Sequence, residues 1–201
     1  MDITKELLTE WDAPPERVQW FVNRFLGKPV VPYQFVLAAL AREGDANCAS
    51  WLISRAGEQG PALRVECLEV GANVFYAGRI EVEGTIKVSG SLIAGGCITA
   101  GKSIKAGGGI AASGNVYAGR NIKAGGGIAA SGNVYAGRDI KAGEGIFSGL
   151  AIGAGRDIIA GTDITALRDI RACGCITART RPTNITRGVF VLNVLKGPKN
   201  D

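Results

Sequence analysis

From Leu68 to Ile176, every sixth residue of this chain is Leu, Ile or Val. Two positions after each of them stands a second apolar or small residue, which is Ala in every hexad from Ala94 to Ala178 except at Ser148. Alternate residues of a strand point to the same side, so the pattern predicts short strands that turn the aliphatic residue and the Ala inward. The repeated aliphatic positions are Leu68, Val74, Ile80, Ile86, Leu92, Ile98, Ile104, Ile110, Val116, Ile122, Ile128, Val134, Ile140, Ile146, Ile152, Ile158, Ile164, Ile170 and Ile176.

A longer period of eighteen residues lies on top of the hexads, because residues 104–121 and 122–139 differ only at Asn121 against Asp139. Three strands and three glycine-rich corners make one triangular coil, and coils stack by parallel pairing into a solenoid. A helix cannot keep a strict six-residue period on one face, and 30 glycines would destabilise it. The sequence therefore predicts a mostly β protein whose body, residues 66–178, is a three-sided parallel β-helix of about six coils, roughly 30 Å long.

Residues 1–60 lack the hexad and predict an N-terminal α-helical segment of four short helices. Asp2 is the expected N-cap of the first helix, Ile3–Trp11. The later boundaries are set by Pro14 and Pro15 with Gly27, by Pro32 with Gly44, and by Asp45 with Gly57. The expected apolar residues of the third helix are Phe35, Leu37, Leu40 and Ala41. This segment is predicted either to cap the exposed N-terminal end of the rod or to form a separate recognition domain.

The hexad pattern ends at the C-terminal end of the rod. Residues 179–201 are predicted to form a C-terminal strand and tail. Val189–Leu195 is strongly apolar, and the polar tail Lys196–Asp201 follows it. Such a strand either folds back as a cap or pairs with a second copy of the chain.

The absence of histidine excludes several kinds of chemistry. Histidine is the commonest general base and metal ligand in proteins, so histidine-dependent nucleophile systems are ruled out. Of the five cysteines, only Cys173 and Cys175 are close in sequence, and no second pair stands at zinc-ligand spacing. We therefore expect no metal, no cofactor and no enzymatic activity.

Residues Gly96–Ser103 fit the phosphate-binding pattern of P-loop proteins. That loop must be free to cradle phosphate and must lead into a helix. Here Ile98 and Ala100 occupy inward hexad positions, so this segment is expected to form a strand and a corner and not a free loop. No nucleotide site is predicted.

The start of the chain, Met1–Glu6, lacks the basic and apolar character of a signal peptide, and no apolar run is long enough to span a membrane. The scattered, odd number of cysteines fits a reducing compartment. We expect a cytoplasmic protein without a transmembrane segment.

One predicted face repeats a lysine once per coil, and the corner before it repeats a cation. Together they form the basic stripe, defined as Lys87, Lys102, Lys105, Arg120, Lys123, Arg138, Lys141 and Arg156. The stripe is either a solvated face, in which Asp139 and Asp157 partly neutralise the arginines, or a site for an anionic partner such as nucleic acid or an acidic protein.

A second predicted face is unusually apolar for a surface in contact with water. Either the helical segment covers it or it serves in association with a protein partner, and a dimer is the expected homo-oligomer. The predicted association surface consists of Phe75, Ile93, Phe147, Val189 and Val191. The third face carries Tyr117 and Tyr135 one coil apart, as a cross-strand pair.

The run Asn115–Gly125, NVYAGRNIKAG, resembles the repeats of bactofilins, the bacterial polymer-forming cytoskeletal proteins. This resemblance covers residues 66–178 and implies a right-handed β-helix without enzymatic activity that polymerises through its ends. The chain departs from that family in its N-terminal helical segment. Two segments, Asp12–Trp20 and Gly44–Ile53, are similar to the start of small immunity-type proteins encoded beside bacterial toxins.

Two functions follow as expectations. The first is a non-catalytic cytosolic scaffold whose rigid faces bind protein and self-associate. The second is an immunity or inhibitor protein whose rod surface occludes a bacterial toxin or a nucleic-acid enzyme.

Overall fold

The computed structural model describes residues 1–180 and the backbone of residues 185–192. The N-terminal part contains four helices: α1 (Lys5–Glu10), α2 (Pro15–Arg24), α3 (Tyr33–Glu43) and α4 (Ala46–Ala56). Two short strands, β1 (Asp2–Thr4) and β2 (Val30–Pro32), pair antiparallel among them. Of the helices that the structure describes, each is too short or too polar to cross a bilayer.

The rest of the described chain is a parallel β-solenoid with three faces. The Tyr face contains β3 (Leu63–Val65), β6 (Ile80–Val82), β9 (Ile98–Ala100), β12 (Val116–Ala118), β15 (Val134–Ala136) and β18 (Ile152–Ala154). The Lys face contains β4 (Leu68–Val70), β7 (Ile86–Val88), β10 (Ile104–Ala106), β13 (Ile122–Ala124), β16 (Ile140–Ala142) and β19 (Ile158–Ala160). The apolar face contains β5 (Val74–Tyr76), β8 (Leu92–Ala94), β11 (Ile110–Ala112), β14 (Ile128–Ala130), β17 (Ile146–Ser148) and β20 (Ile164–Ala166).

The final coil joins two of these faces. Strand β21 (Ile170–Ala178) pairs with β18 through its first residues and with β19 through Ile176 and Thr177. Cys173 and Cys175 therefore lie within a continuous strand, and both thiols are free and exposed. Strand β22 (Ile185–Leu192) pairs in parallel with β21.

The register of the solenoid is the predicted one. From β4 to β19, each strand pairs in parallel with the strand eighteen residues later, as in Ile104 with Ile122 and Ile122 with Ile140. The aliphatic and Ala positions form one continuous core, in which Ile122 has no exposed surface. The prediction of a three-sided parallel β-helix with about six coils and N-terminal helices is confirmed.

The solenoid begins one strand earlier than the hexad pattern. Leu63 and Val65 of β3 pair with Ile80 and Val82 and point toward the core. The hexad did not reveal this strand, because Leu63 stands five positions, and not six, before the first regular position, Leu68.

Close stacking at the corners explains the repeated glycines. A Cβ atom on Gly125 would overlap the carbonyl oxygen of Gly107, which lies one coil earlier. Any side chain at this position would therefore push neighbouring coils apart.

The helical segment differs from its prediction at two places. Asp2 does not cap α1, because Ile3 is drawn into the pair with Val31, and the cap is Thr4, whose hydroxyl accepts the Leu7 N–H at 3.2 Å. In α3 the buried stripe is Tyr33, Val36, Leu37 and Leu40. Phe35 lies off this stripe and is 66% exposed, so its expected place in the apolar face of the helix was wrong.

The helices pack against the side of the rod. Helix α3 lies on β5, and α4 lies on β8, where they bury the outward side chains of Phe75 and Ile93. The Gln34 side chain of α3 also pairs with the outer edge of β5: its Nε2 donates to Phe75 O at 2.9 Å, and its Oε1 accepts the Ala77 N–H at 2.8 Å. The helical segment thus covers the outer side of the first coils and the N-terminal edge of one face. The inward residues of β3 and β4 remain only partly buried.

Candidate binding surfaces on the rod

The structure brings the basic stripe together as two parallel columns. Lys105 pairs in register with Lys123, and Lys123 with Lys141, so their side chains repeat along the Lys face at the coil spacing of about 4.8 Å. The corner between the Tyr and Lys faces carries the second column, where Arg120 N–H donates to Lys102 O and Arg138 N–H donates to Arg120 O. All eight side chains of the stripe are exposed.

Acidic residues neutralise only the two ends of this stripe. At the N-terminal end Lys87 pairs with Glu69, and this hydrogen bond lowers the pKa of the Glu69 carboxyl. At the other end Arg156 Nη2 lies 2.6 Å from Asp139 Oδ2. The hydrogen bonds from Arg156 lower the pKa of the Asp139 carboxyl below its ordinary value.

The middle of the stripe has no such neutralisation. From residue 84 to residue 138 the sequence contains six Lys and Arg residues and not one Asp or Glu. Among the described residues, six cations of the stripe form no ion pair; they are Lys102, Lys105, Arg120, Lys123, Arg138 and Lys141. Because these charges share one face and its corner, the rod presents a concentrated positive potential on one side.

An aromatic pair lies on the other side of the arginine corner. The rings of Tyr117 and Tyr135 stack with centroids 5.6 Å apart and planes 21° apart, and each residue is 36% exposed. Tyr135 lies over Gly153, where a Cβ atom would collide with its ring. The sequence indicated the cross-strand pair, and Arg120 and Arg138 each follow one of these tyrosines by three residues, at the corner after the Tyr face.

The predicted association surface is divided by the fold. Phe75 and Ile93 are each 3% exposed beneath the helices, so at these two residues the helical segment covers the face, which was the first of the two alternatives, and neither lies on an open surface. Phe147 is 46% exposed and lies beyond the helices on the same face. Val189 and Val191 belong to β22, and their side chains lie outside the described residues.

The P-loop-like segment occupies a strand and a corner, as predicted. Ile98 and Ala100 are buried in β9, and Lys102 is exposed at the corner before the next strand, β10. Within residues 1–180 no three Cys, Asp or Glu side chains gather as the ligands of a metal ion would. The five cysteines are free, and burial raises the pKa of the Cys48 thiol to about 11.

These features define a class of protein: a parallel β-solenoid with a helical N-terminal domain packed on its side. The helical domain is similar to a known family, since residues 1–59 match the model described as the YdhT N-terminal domain. Neither the comparison with curated proteins nor the comparison with solved structures gives a match.

Proposed function

We propose that this protein is a non-catalytic cytosolic scaffold whose rod binds an anionic partner through the basic stripe. The observation that carries this proposal is the run of exposed cations without acidic neighbours at the centre of the rod. Like charges at the coil spacing repel each other, so this arrangement gives the fold no benefit. A bound polyanion would turn that repulsion into attraction.

The rigidity of the solenoid supports the same proposal. The cations lie on strands whose spacing is fixed by parallel pairing. The backbone therefore loses little conformational entropy on binding. The nearby Tyr117 and Tyr135 add a partly exposed aromatic surface.

The test replaces Lys105, Lys123 and Lys141 by Ser and measures affinity for two probes, a 20-base-pair DNA duplex and a poly-glutamate peptide. Each affinity is measured at about 50 and 200 mM salt, a range over which phosphate contacts weaken strongly. For the duplex, the slope of log K against log salt is negative, and removing three contacts should reduce its magnitude by about 3. The fold should stay intact, because exposed charges contribute little to stability.

A matched control replaces three exposed cations outside the stripe, Lys5, Arg55 and Arg168, by Ser. It changes the net charge equally and should leave both affinities nearly unchanged. If wild type binds neither probe at low salt, or if both variants behave alike, the stripe is only a solvated face. Tighter binding of the duplex would indicate a nucleic-acid partner, and tighter binding of poly-glutamate would indicate an acidic protein.

A second candidate function is bactofilin-like assembly. The observation that favours it is that β3 and β4 each pair with one strand only among the described residues, which leaves an outer edge on two of the three faces. Free strand edges pair readily with another chain. Fibres in electron micrographs of the full chain would favour this function, and a stable dimer at all concentrations would argue against it.

An immunity or inhibitor protein would use the same stripe in a different way. Its partner would be an enzyme whose anionic surface lies over the active site. A one-to-one complex in which the enzyme is inactive, and which the Lys→Ser variant fails to form, would favour that alternative over a scaffold.

A further inference from the structure

The helical domain carries an open groove that is separate from the basic stripe. It lies between the end of α2, strand β2 and the outward side of α3, and its volume is about 370 Å³. Phe35 and Val30 line it and are 66% and 52% exposed. Large exposed side chains of this kind, side by side on one small domain, mark interaction surfaces.

The exposure of Phe35 follows from how α3 is used. The helix buries its Tyr33, Val36, Leu37 and Leu40 stripe, and it contacts the rod at β5. Phe35 stands off that stripe, so no element of the described chain covers it. The half-buried ring of Phe25 lies in the same groove and extends its apolar lining.

Three cations surround this apolar lining. Arg24, Lys28 and Arg42 all line the groove, and the lining residues include no Asp or Glu. Arg24 is held by Glu43 through an Nε–Oε1 distance of 3.2 Å. Lys28 and Arg42 are exposed and make no ion pair within the described part of the chain. The groove therefore combines apolar anchor sites with unpaired positive charge.

We propose that this groove binds an acidic amphipathic segment of a partner protein. Apolar side chains of that segment pack on Phe35 and Val30, and its carboxylates pair with Lys28 and Arg42. Helix-in-groove and strand-edge recognition both use such a combination of apolar anchors and polar rim contacts. The proposal concerns the helical domain and is independent of the function proposed for the rod.

Charge complementarity favours an acidic partner segment over residues 181–201 of the same chain as the occupant of the groove. Residues 181–201 contain Arg181, Arg187, Lys196 and Lys199 against a single acid, Asp201, so this segment would be repelled by the groove. The three cations in the lining also suit a peptide with carboxylates better than an acyl chain, which would leave them without partners.

The experiment selects peptides from a phage-displayed library of random 12-residue sequences, with the full chain as bait. We expect enriched peptides to combine Asp or Glu with aromatic or aliphatic residues. One enriched peptide is then synthesised with a fluorescent label, and its Kd is measured by polarisation. Two variants test the site: Phe35→Ser, and Lys28→Glu combined with Arg42→Glu. Each should weaken binding at least tenfold.

The matched control repeats the same changes away from the groove and the basic stripe, as Leu167→Ser and as Arg55→Glu combined with Arg168→Glu. These residues are exposed like those of the groove, and the control Kd should stay within about twofold of wild type. Thermal melts of all variants should coincide with wild type, since the replaced side chains are exposed.

Three results would overturn the proposal. The first is a selection that enriches basic or uncharged peptides. The second is a peptide whose Kd the groove variants leave unchanged. The third is light scattering in which Phe35→Ser dissociates a dimer of the wild type, because the groove would then hold a second copy of this chain.

Discussion

Single side chains at the corners connect one coil to the next. Asn115 Oδ1 accepts the N–H of Asn133 at 2.7 Å, and Asn133 Oδ1 accepts the N–H of Ala151 at 3.1 Å. At another corner Asp157 Oδ1 accepts the N–H of Cys175 at 2.8 Å. The N–H groups of Asn133 and Ala151 lie just before β15 and β18, and that of Cys175 lies within β21; without a side-chain acceptor they would lack a partner. Small polar corner residues are therefore part of the stacking, in addition to the apolar core.

Ile122→Asp should unfold the solenoid. Ile122 is fully buried between Ile104 and Ile140, and a carboxylate there would have no partner. We expect a loss of about 4 kcal/mol or more, measured by urea denaturation. The neighbouring Asn121→Asp is the control and should be nearly silent, because Asp139 already occupies the equivalent position next to Arg156. A wild-type melt for Ile122→Asp would contradict the inward orientation of the hexad.

Gly125→Ala and Gly127→Ala should differ sharply although the two residues belong to one corner. A Cβ atom on Gly125 would overlap the backbone of Gly107, whereas one on Gly127 would lie 3.3 Å from the Gly145 oxygen. We expect Gly125→Ala to cost about 3 kcal/mol and Gly127→Ala less than about 1 kcal/mol in the free energy of unfolding. Equal costs in chemical denaturation would show that the coils can separate without penalty.

At the scale of elements, the junction between helix and strand is polar as well as apolar. The rod end exposes unpaired backbone groups, and α3 supplies Gln34 in place of a neighbouring strand. Around this amide, Phe75 and Ile93 bury apolar surface against α3 and α4. Such an interface fixes the helical domain in both position and orientation.

Gln34→Ala should loosen this junction. The change leaves Phe75 C=O and Ala77 N–H without partners, and unsatisfied groups of this kind cost about 1–3 kcal/mol each. We expect a loss of about 2 kcal/mol in urea denaturation and faster amide exchange at Ala77. The control is Gln19→Ala, since Gln19 bonds only to the exposed Asn23 on its own helix. Equal stability of the two variants would refute the capping role.

At the scale of the whole molecule, charge and apolar surface are segregated. All charged residues from residue 84 to residue 138 are cations, whereas residues 61–83 contain four acids and two cations, a net charge of −2. The apolar face is covered at β5 and β8 and open at Ala129 and Phe147. The rod therefore offers different surfaces to different partners along its length.

Self-association is expected to use the open part of the apolar face. We predict a dimer for the full chain in light scattering, because the outward side chains of that part are apolar and uncharged and include the 46% exposed Phe147. Phe147→Ser should shift the molar mass toward that of a monomer. Tyr117→Ser, on the Tyr face, is the control and should leave it unchanged. A wild-type monomer at all concentrations would contradict this prediction.

The sequence by itself determined the solenoid, its three faces and the composition of the basic stripe. The physical reason is that strand direction and pairing repeat locally, so an eighteen-residue period assigns each side chain to a face without knowledge of distant contacts. Even Asp45, the cap of α4, could be identified from its neighbours, and it bonds the Cys48 N–H at 2.8 Å.

Only the tertiary structure decided which of these surfaces stay open. Phe75 and Phe147 occupy equivalent positions in the repeat, yet Phe75 is buried and Phe147 is exposed. The reason is that α3 packs against the first coils and not against the later ones. The exposure of Phe35 and the groove beside Lys28 have the same origin. They depend on contacts between segments far apart in the chain, which no local period encodes.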